Sequence, residues 1–199
     1  MKTKGCLIAV VAVVLIGIFS VVVWYIKTGN KIVRLDEGVA ESWAQVENVY
    51  QRRADLIPNL VATVKGYAEH EKTALTDVVE ARAKASSVNV NPEKLDAQSL
   101  QQFEQAQGNL SSALSRLLVV VERYPDLKAN QNFSELQAQL EGTENRIAVE
   151  RRKFNEVARE YNTYIRQFPA SIVANNRGFE KKAYFEAQAG SEKAPEVQF

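Results

Sequence analysis

The sequence predicts an all-α fold: an N-terminal transmembrane helix followed by an elongated, antiparallel up-and-down bundle of three long helices, or four if Pro58 marks a reversal. Three observations predict it. Leu7 to Ile26 is a run of 20 residues without a charged side chain. After it, apolar residues recur in alternating steps of three and four, the period of a helix buried along one stripe. No segment carries the period-two alternation of a half-buried strand.

The apolar run comes first. At about 1.5 Å per residue it is roughly 30 Å long, the thickness of a hydrocarbon core. Lys2 and Lys4 precede it, Trp24 and Tyr25 stand where an aromatic belt belongs, and Lys27 follows. The run is longer than a signal-peptide core and no small-residue cleavage site follows it, so it reads as an uncleaved anchor. Cys6 precedes the run, which argues against a lipid-modified N-terminus. Lys2 and Lys4 on one side and Lys27, Lys31 and Arg34 on the other divide the charge almost evenly. The reading adopted puts the N-terminus inside and the domain outside.

Residues 1–6 form a short tail, 7–26 the anchor and 27–30 (Lys, Thr, Gly, Asn) a hinge, because Thr, Gly and Asn weaken a helix. The bundle occupies 31–169. Its first stripe is Val39, Trp43, Val46, Tyr50, Ile57, Leu60, Val64 and Tyr67, then Ala74, Val78 and Ala81, with Arg53 and Glu71 at the polar interruptions. Pro58 removes the hydrogen bond to the Ala54 carbonyl, yet the stripe keeps its phase across it, which favours a kinked continuous helix over a turn at 55–57. Asn91 and Pro92 make an N-cap and first helical residue. The helix they open carries Phe103, Ala106, Leu110, Ala113, Leu117, Val120 and Tyr124 and stops before Pro125. The last helix, Phe133 to Phe168, reads Phe133, Leu136, Leu140, Thr143, Ile147, Glu150, Phe154, Val157, Tyr161, Tyr164, Phe168, with Asn132 and Glu135 resembling a capping box. Residues 170–185 are a C-terminal extension and 186–199 a disordered tail.

Composition excludes several functions. The chain of 199 residues has 25 Lys plus Arg against 24 Asp plus Glu, with no basic footprint for nucleic acid. One Cys and one His preclude an intramolecular disulfide and the usual zinc sites. There is no Gly-rich phosphate loop, and Glu69, His70 and Glu71 point to different faces of a helix. No catalytic residue, cofactor, metal or small-molecule substrate is assigned, and the protein is read as non-enzymatic. Arg53, Glu71 and Glu150 are read as polar seam residues that fix register.

The stretch Arg52-Arg53-Ala54-Asp55-Leu56-Ile57-Pro58-Asn59-Leu60-Val61, continuing Thr63-Val64-Lys65-Gly66-Tyr67-Ala68 with His70-Glu71, resembles the signature of the LemA family. So do Leu114-Ser115-Arg116-Leu117, Tyr124-Pro125-Asp126-Leu127-Lys128-Ala129-Asn130, Thr143-Glu144-Asn145-Arg146-Ile147-Ala148 and Tyr161-Asn162-Thr163. The resemblance implies a bacterial membrane protein with one anchor and a helical-bundle domain, and it supplies no catalytic residue. Some members of that family are associated with membrane remodelling in magnetosome formation. Others are encoded beside a membrane metalloprotease or a TPM-domain protein, which makes either a candidate partner.

Two functions from different classes follow: a scaffold whose bundle self-associates on the membrane, and an adaptor that regulates a partner such as an envelope metalloprotease. If the first helix runs from Lys31 through Ala85 and the next returns from Pro92, Tyr124 comes level with Arg53 and the two distinctive segments meet. Arg53, Asp55, Asn59, Tyr124, Asp126, Lys128 and Asn130 are then a candidate partner surface. Val39, Trp43, Val46 and Tyr50 would lie bare below it as a candidate interface of a homo-oligomer. That stripe is covered internally instead if the chain after Pro169 folds back or Pro58 reverses the helix.

Overall fold

The computed structural model describes residues 2–186. Helix α1, Lys2–Tyr67, runs 66 residues without a break, roughly 100 Å at the helical rise. Anchor and domain are therefore one rod. The expected tail at 1–6 is helical from Lys2, and the expected hinge at 27–30 is helical throughout. Gly29 has a different use: the Arg177 guanidinium packs so close to it that a Cβ would collide. Thr28 beside it is buried.

Helix α1 also continues through Pro58, as the unbroken stripe predicts, but it does not extend to Ala85. The chain reverses at 68–71, and α2, Lys72–Ser87, returns along α1 towards the membrane. The bundle consequently has four helices, with the reversal ten residues beyond the proline. A 3₁₀ turn, Pro92–Lys94, is capped by the Asn91 side chain. It is not the start of the long helix: α3, Ala97–Val121, is capped by Asp96, whose carboxylate accepts from the Ser99 amide at 2.8 Å. A single turn, α4, Pro125–Lys128, leads to α5, Gln131–Arg166. Asn130 caps α5, accepting from the Phe133 amide at 3.0 Å, so the cap is two residues earlier than the expected Asn132.

Helix α5 lies antiparallel to α1 along the whole domain. Lys31 sits over the Tyr164 ring, Arg53 pairs with Glu144, and the Tyr67 hydroxyl accepts from Asn130. Beyond the corner at Phe168 and Pro169, α6, Ala170–Arg177, packs back against α1 and α5 near the anchor, and Gly178 ends it with φ 75°. Residues 179–186 then run away from the membrane as an extended strap.

The core has two parts. The membrane-proximal part gathers Ile32, Val39, Trp43, Val46, Tyr50, Phe103, Ile147, Phe154 and Phe185. The distal part gathers Ile57, Leu60, Val64, Val78, Leu110, Leu117, Leu127 and Phe133. Of the α5 stripe, Phe133, Thr143, Ile147, Phe154 and Tyr161 are buried and Leu136, Leu140, Glu150, Val157 and Tyr164 half-buried, whereas Phe168 lies past the helix end and is exposed. Phe154 is fully buried, so Phe154→Ala should cost about 3–5 kcal/mol, read as a lowered denaturation midpoint. An unchanged midpoint would contradict this packing.

Candidate functional site

Between the two apolar clusters lies one polar layer, centred on Arg53, which is 2% exposed. Its Nη1 donates to Ser111 Oγ at 2.9 Å and to Glu144 Oε2 at 2.8 Å. Its Nη2 donates to Gln107 Oε1 at 2.7 Å, and Gln107 Nε2 in turn donates to the Ala85 carbonyl at 3.4 Å. The guanidinium also stacks on Tyr50 at 5.1 Å. Arg53 Nε has no acceptor. Because α1, α2, α3 and α5 each contribute a group, the layer tolerates only one vertical register of the four helices. A charge removed from water must keep its partners, so a slip by one turn would strand it.

Pro58 belongs to the same layer. Having no N–H, it leaves the Ala54 carbonyl without its usual donor one turn below. Arg82 on α2 supplies one: its Nε donates to the Ala54 oxygen at 2.7 Å. The proline thus opens an acceptor on α1 that only a correctly placed α2 can fill. Arg82→Ala should cost about 1–3 kcal/mol through the unsatisfied carbonyl, and Pro58→Ala in the same chain should recover most of the loss. Chemical denaturation of the two variants measures both values.

The far end of the bundle, opposite the membrane, carries the second polar cluster. Glu71 Oε1 accepts from Arg123 Nη2 at 2.9 Å and from the Tyr124 hydroxyl at 3.0 Å. Donation to that carboxylate raises the Tyr124 phenol above its ordinary pKa. Asn130 Nδ2 donates to the Tyr67 hydroxyl, and Lys128 pairs with Glu122. These contacts fasten the reversal at 68–71 to the α3 to α5 connection.

The expected partner surface therefore divides. Tyr124 is level with Glu71 and not with Arg53, because the first helix ends at Tyr67 instead of Ala85. Tyr124, Asp126, Lys128 and Asn130 gather at the tip. Arg53 is interior, while Asp55 and Asn59 are exposed on α1 near mid-bundle. The expected bare interface is also corrected: Val39, Trp43, Val46 and Tyr50 are 0 to 6% exposed within a single chain. Helix α5, the strap and residues 90–103 cover them, because the reversal at 68–71 brings the chain after α2 and the start of α3 down to that height.

The strap was the least legible part. Asn155 and Asn162 lie two turns apart on α5, and each offers its side-chain amide as a substitute backbone partner. Asn155 Oδ1 accepts from the Phe185 amide at 2.9 Å and its Nδ2 donates to the Phe185 carbonyl at 2.8 Å. Asn162 holds Lys182 in the same two-bond manner, at 2.9 and 2.8 Å. Lys182 Nζ reaches Asp36 at 2.9 Å and the Glu93 carbonyl at 2.7 Å. Held there, Phe185 stacks on Trp43 at 5.9 Å and meets Phe154 edge-on at 5.4 Å.

None of these arrangements resembles a reactive centre. Arg53 is spent on α3 and α5, and His70 is exposed at the α1 to α2 reversal. Among the described residues no cluster of His, Cys, Asp and Glu could hold a metal. Among the described residues one helix, α1, is long and apolar enough to cross a membrane. Its side chains at 11–22 are exposed on every face, whereas the stripe above them is buried, so α1 changes surroundings at about Trp24. The chain is a membrane protein by that criterion.

Comparison with known proteins gives concordant matches. Magnetosome protein MamQ 2 of Paramagnetospirillum magneticum is 25% identical over 201 residues, covering 92% of this chain and 74% of that protein. Magnetosome protein MamQ of Magnetospirillum gryphiswaldense is 25% identical over 199 residues, covering 92% and 73%. Protein LemA of Metamycoplasma hominis is 25% identical over 175 residues, covering 86% and 74%. The LemA family model matches residues 42–199, from Ser42 beside Trp43 through the polar layer, the tip and the strap, and the chain belongs to the LemA family.

Proposed function

We propose that this protein is a non-enzymatic, membrane-anchored scaffold of the bacterial cell envelope that acts in membrane organisation. The observation that carries the reading is the continuity of α1: anchor and bundle cannot pivot about each other at 27–30, so the protein is a stiff post. At the helical rise, Tyr67 stands roughly 60 Å beyond Ile26. Such a post transmits position, which assembly requires and catalysis does not. The similarity to magnetosome proteins over most of the chain supports the same reading. In this reading the domain stands on the extracytoplasmic face of the inner membrane.

An adaptor for a membrane partner, such as a metalloprotease or TPM-domain protein, is the second reading. It is favoured by the concentration of Tyr124, Asp126, Lys128 and Asn130 at a single end of the bundle, since one patch fits one partner. Crosslinking the tagged full chain in its own membrane, followed by gentle detergent extraction, separates the two. Self-crosslinks are expected of a scaffold. Monomeric chain joined to one other protein would replace the scaffold with the adaptor. Alkaline carbonate should leave the intact chain in the membrane pellet, and recovery in the supernatant would overturn both readings.

A further inference from the structure

The end of the bundle nearest the anchor is basic and apolar at once. Residues 24–35 of α1 contain Lys27, Lys31 and Arg34 and no carboxylate, and residues 161–179 contain Arg166 and Arg177 and no carboxylate. All five basic residues are exposed. The antiparallel packing brings the two segments to one level. Lys31 Nζ lies 4.3 Å from the Tyr164 ring, the Arg177 guanidinium 5.1 Å from the Tyr25 ring, and Asn176 Nδ2 donates to the Tyr25 hydroxyl at 2.8 Å. Tyr25 is the penultimate residue of the 7–26 run, so α6 stands where the apolar helix surface ends. The first carboxylates occur farther from the anchor. Asp36 is tied to Lys182, and Glu180 is held through its carbonyl by Tyr161, above Tyr164.

Within this acid-free rim, Phe168 is 83% exposed, more than any other large apolar side chain among the described residues. Ile172, four positions on, is 54% exposed. Phe168 lies in the corner between α5 and α6 and Ile172 in the first turn of α6, and among the described residues neither is covered. An aromatic and a branched aliphatic side chain at the same end of the bundle as Lys and Arg are the chemistry of an interfacial membrane contact. The apolar groups enter the acyl boundary, and the cations meet headgroup phosphates.

We propose that this base, formed by Phe168 and Ile172 together with Lys27, Lys31, Arg34, Arg166 and Arg177, is a second membrane-binding surface that seats the bundle on anionic lipid headgroups. The inference rests on α1 crossing the bilayer and adds to the scaffold reading a fixed orientation of the post. Two features select lipid over a second copy. Continuity with α1 delivers the rim to the headgroup layer, and five like charges repel the same face of another protomer while an anionic surface neutralises them. Because Arg177 is packed on Gly29 and Tyr25, α6 cannot swing away from that layer without breaking the join to α1.

The test uses the full chain in vesicles of phosphatidylcholine with or without phosphatidylglycerol. Cys6→Ser removes the native thiol, and Phe168→Cys, Ile172→Cys or Val119→Cys introduces a single site for an environment-sensitive fluorophore. Val119 is exposed on α3 towards the tip. The labels at 168 and 172 should be blue-shifted and about twofold brighter than the label at 119, and quenched by shallow doxyl lipid. Phosphatidylglycerol should strengthen the effect. Salt near 1 M, where the screening length is about 3 Å, should weaken it, and Lys27→Gln with Arg166→Gln should remove the phosphatidylglycerol increment. Labels at 168 and 172 as water-exposed as the one at 119 in both vesicle types would overturn the proposal. A blue shift that follows protein-to-lipid ratio without doxyl quenching would also overturn it, by placing a second copy there. Retention of every variant through alkaline carbonate reports the span separately, so loss of the base contact and loss of the anchor are distinguishable.

Discussion

Trp43→Glu should unfold the membrane-proximal half of the bundle, with a large loss of helical circular dichroism in detergent. The ring is fully buried, edge-on to Phe103 at 5.2 Å and to Phe154 at 5.7 Å, and stacked on Phe185. Truncating such an aromatic costs about 3–5 kcal/mol by itself. A carboxyl group in its place must stay charged among aromatic rings or take up a proton, and either adds to the loss. Domains of this size are stable by only about 5–15 kcal/mol, so one substitution can consume most of the margin. Trp43→Phe, which keeps an aromatic ring, should lose far less. If Trp43→Glu instead keeps its helicity and changes only its oligomeric mass, the stripe from Val39 to Tyr50 is a subunit interface and the packing described here is wrong.

Gln107→Leu should destabilise by about 2–3 kcal/mol, because the Arg53 guanidinium is buried and its Nη2 loses its best acceptor. The test of the cause is the double variant. Arg53→Met removes the buried cation, and with Leu at 107 the layer becomes continuous with the apolar clusters above and below it. Replacing a buried ionic group by well-packed apolar residues is often neutral or favourable, so the double variant should be more stable than Gln107→Leu alone. Additive losses would show that Gln107 acts through packing and not through the guanidinium. Glu144, whose side chain is 58% exposed, should matter less than Gln107 because water can screen its half of the pair.

Much of the fold was legible because helical period and apolar length are local properties. The anchor, the α3 and α5 stripes, the continuity of α1 through Pro58 and the place of Arg53 in the α1 seam all follow from residues near one another in the chain. The reversal at 68–71 was harder to read. Tyr67, Ala74 and Val78 keep helical spacing across it, and Gly66 is no stronger a breaker than Gly29, which sits inside a helix. What separates the two glycines is a neighbour distant in sequence, since Arg177 packs onto Gly29 and nothing lies near Gly66.

The same reasoning accounts for the candidate sites. Asn130 was singled out and proves to be both the α5 cap and a tie to Tyr67. Asn155 gave no signal and Asn162 stood out only within Tyr161-Asn162-Thr163, because an asparagine that will bind a strap looks like any polar residue on a helix face.

By itself, then, the sequence determined that this chain is helical, where it is apolar enough to cross a membrane, and which stripe of each long helix must be covered. Only the tertiary structure decided what covers them. Burial is a demand that any apolar surface of the right shape can meet, so periodicity specifies the face but not its partner. The partner is chosen by groups that fit in one arrangement alone: Arg82 on the carbonyl that Pro58 leaves free, Gln107 and Glu144 on Arg53, and Asn155 and Asn162 on the strap that brings Phe185 to Trp43.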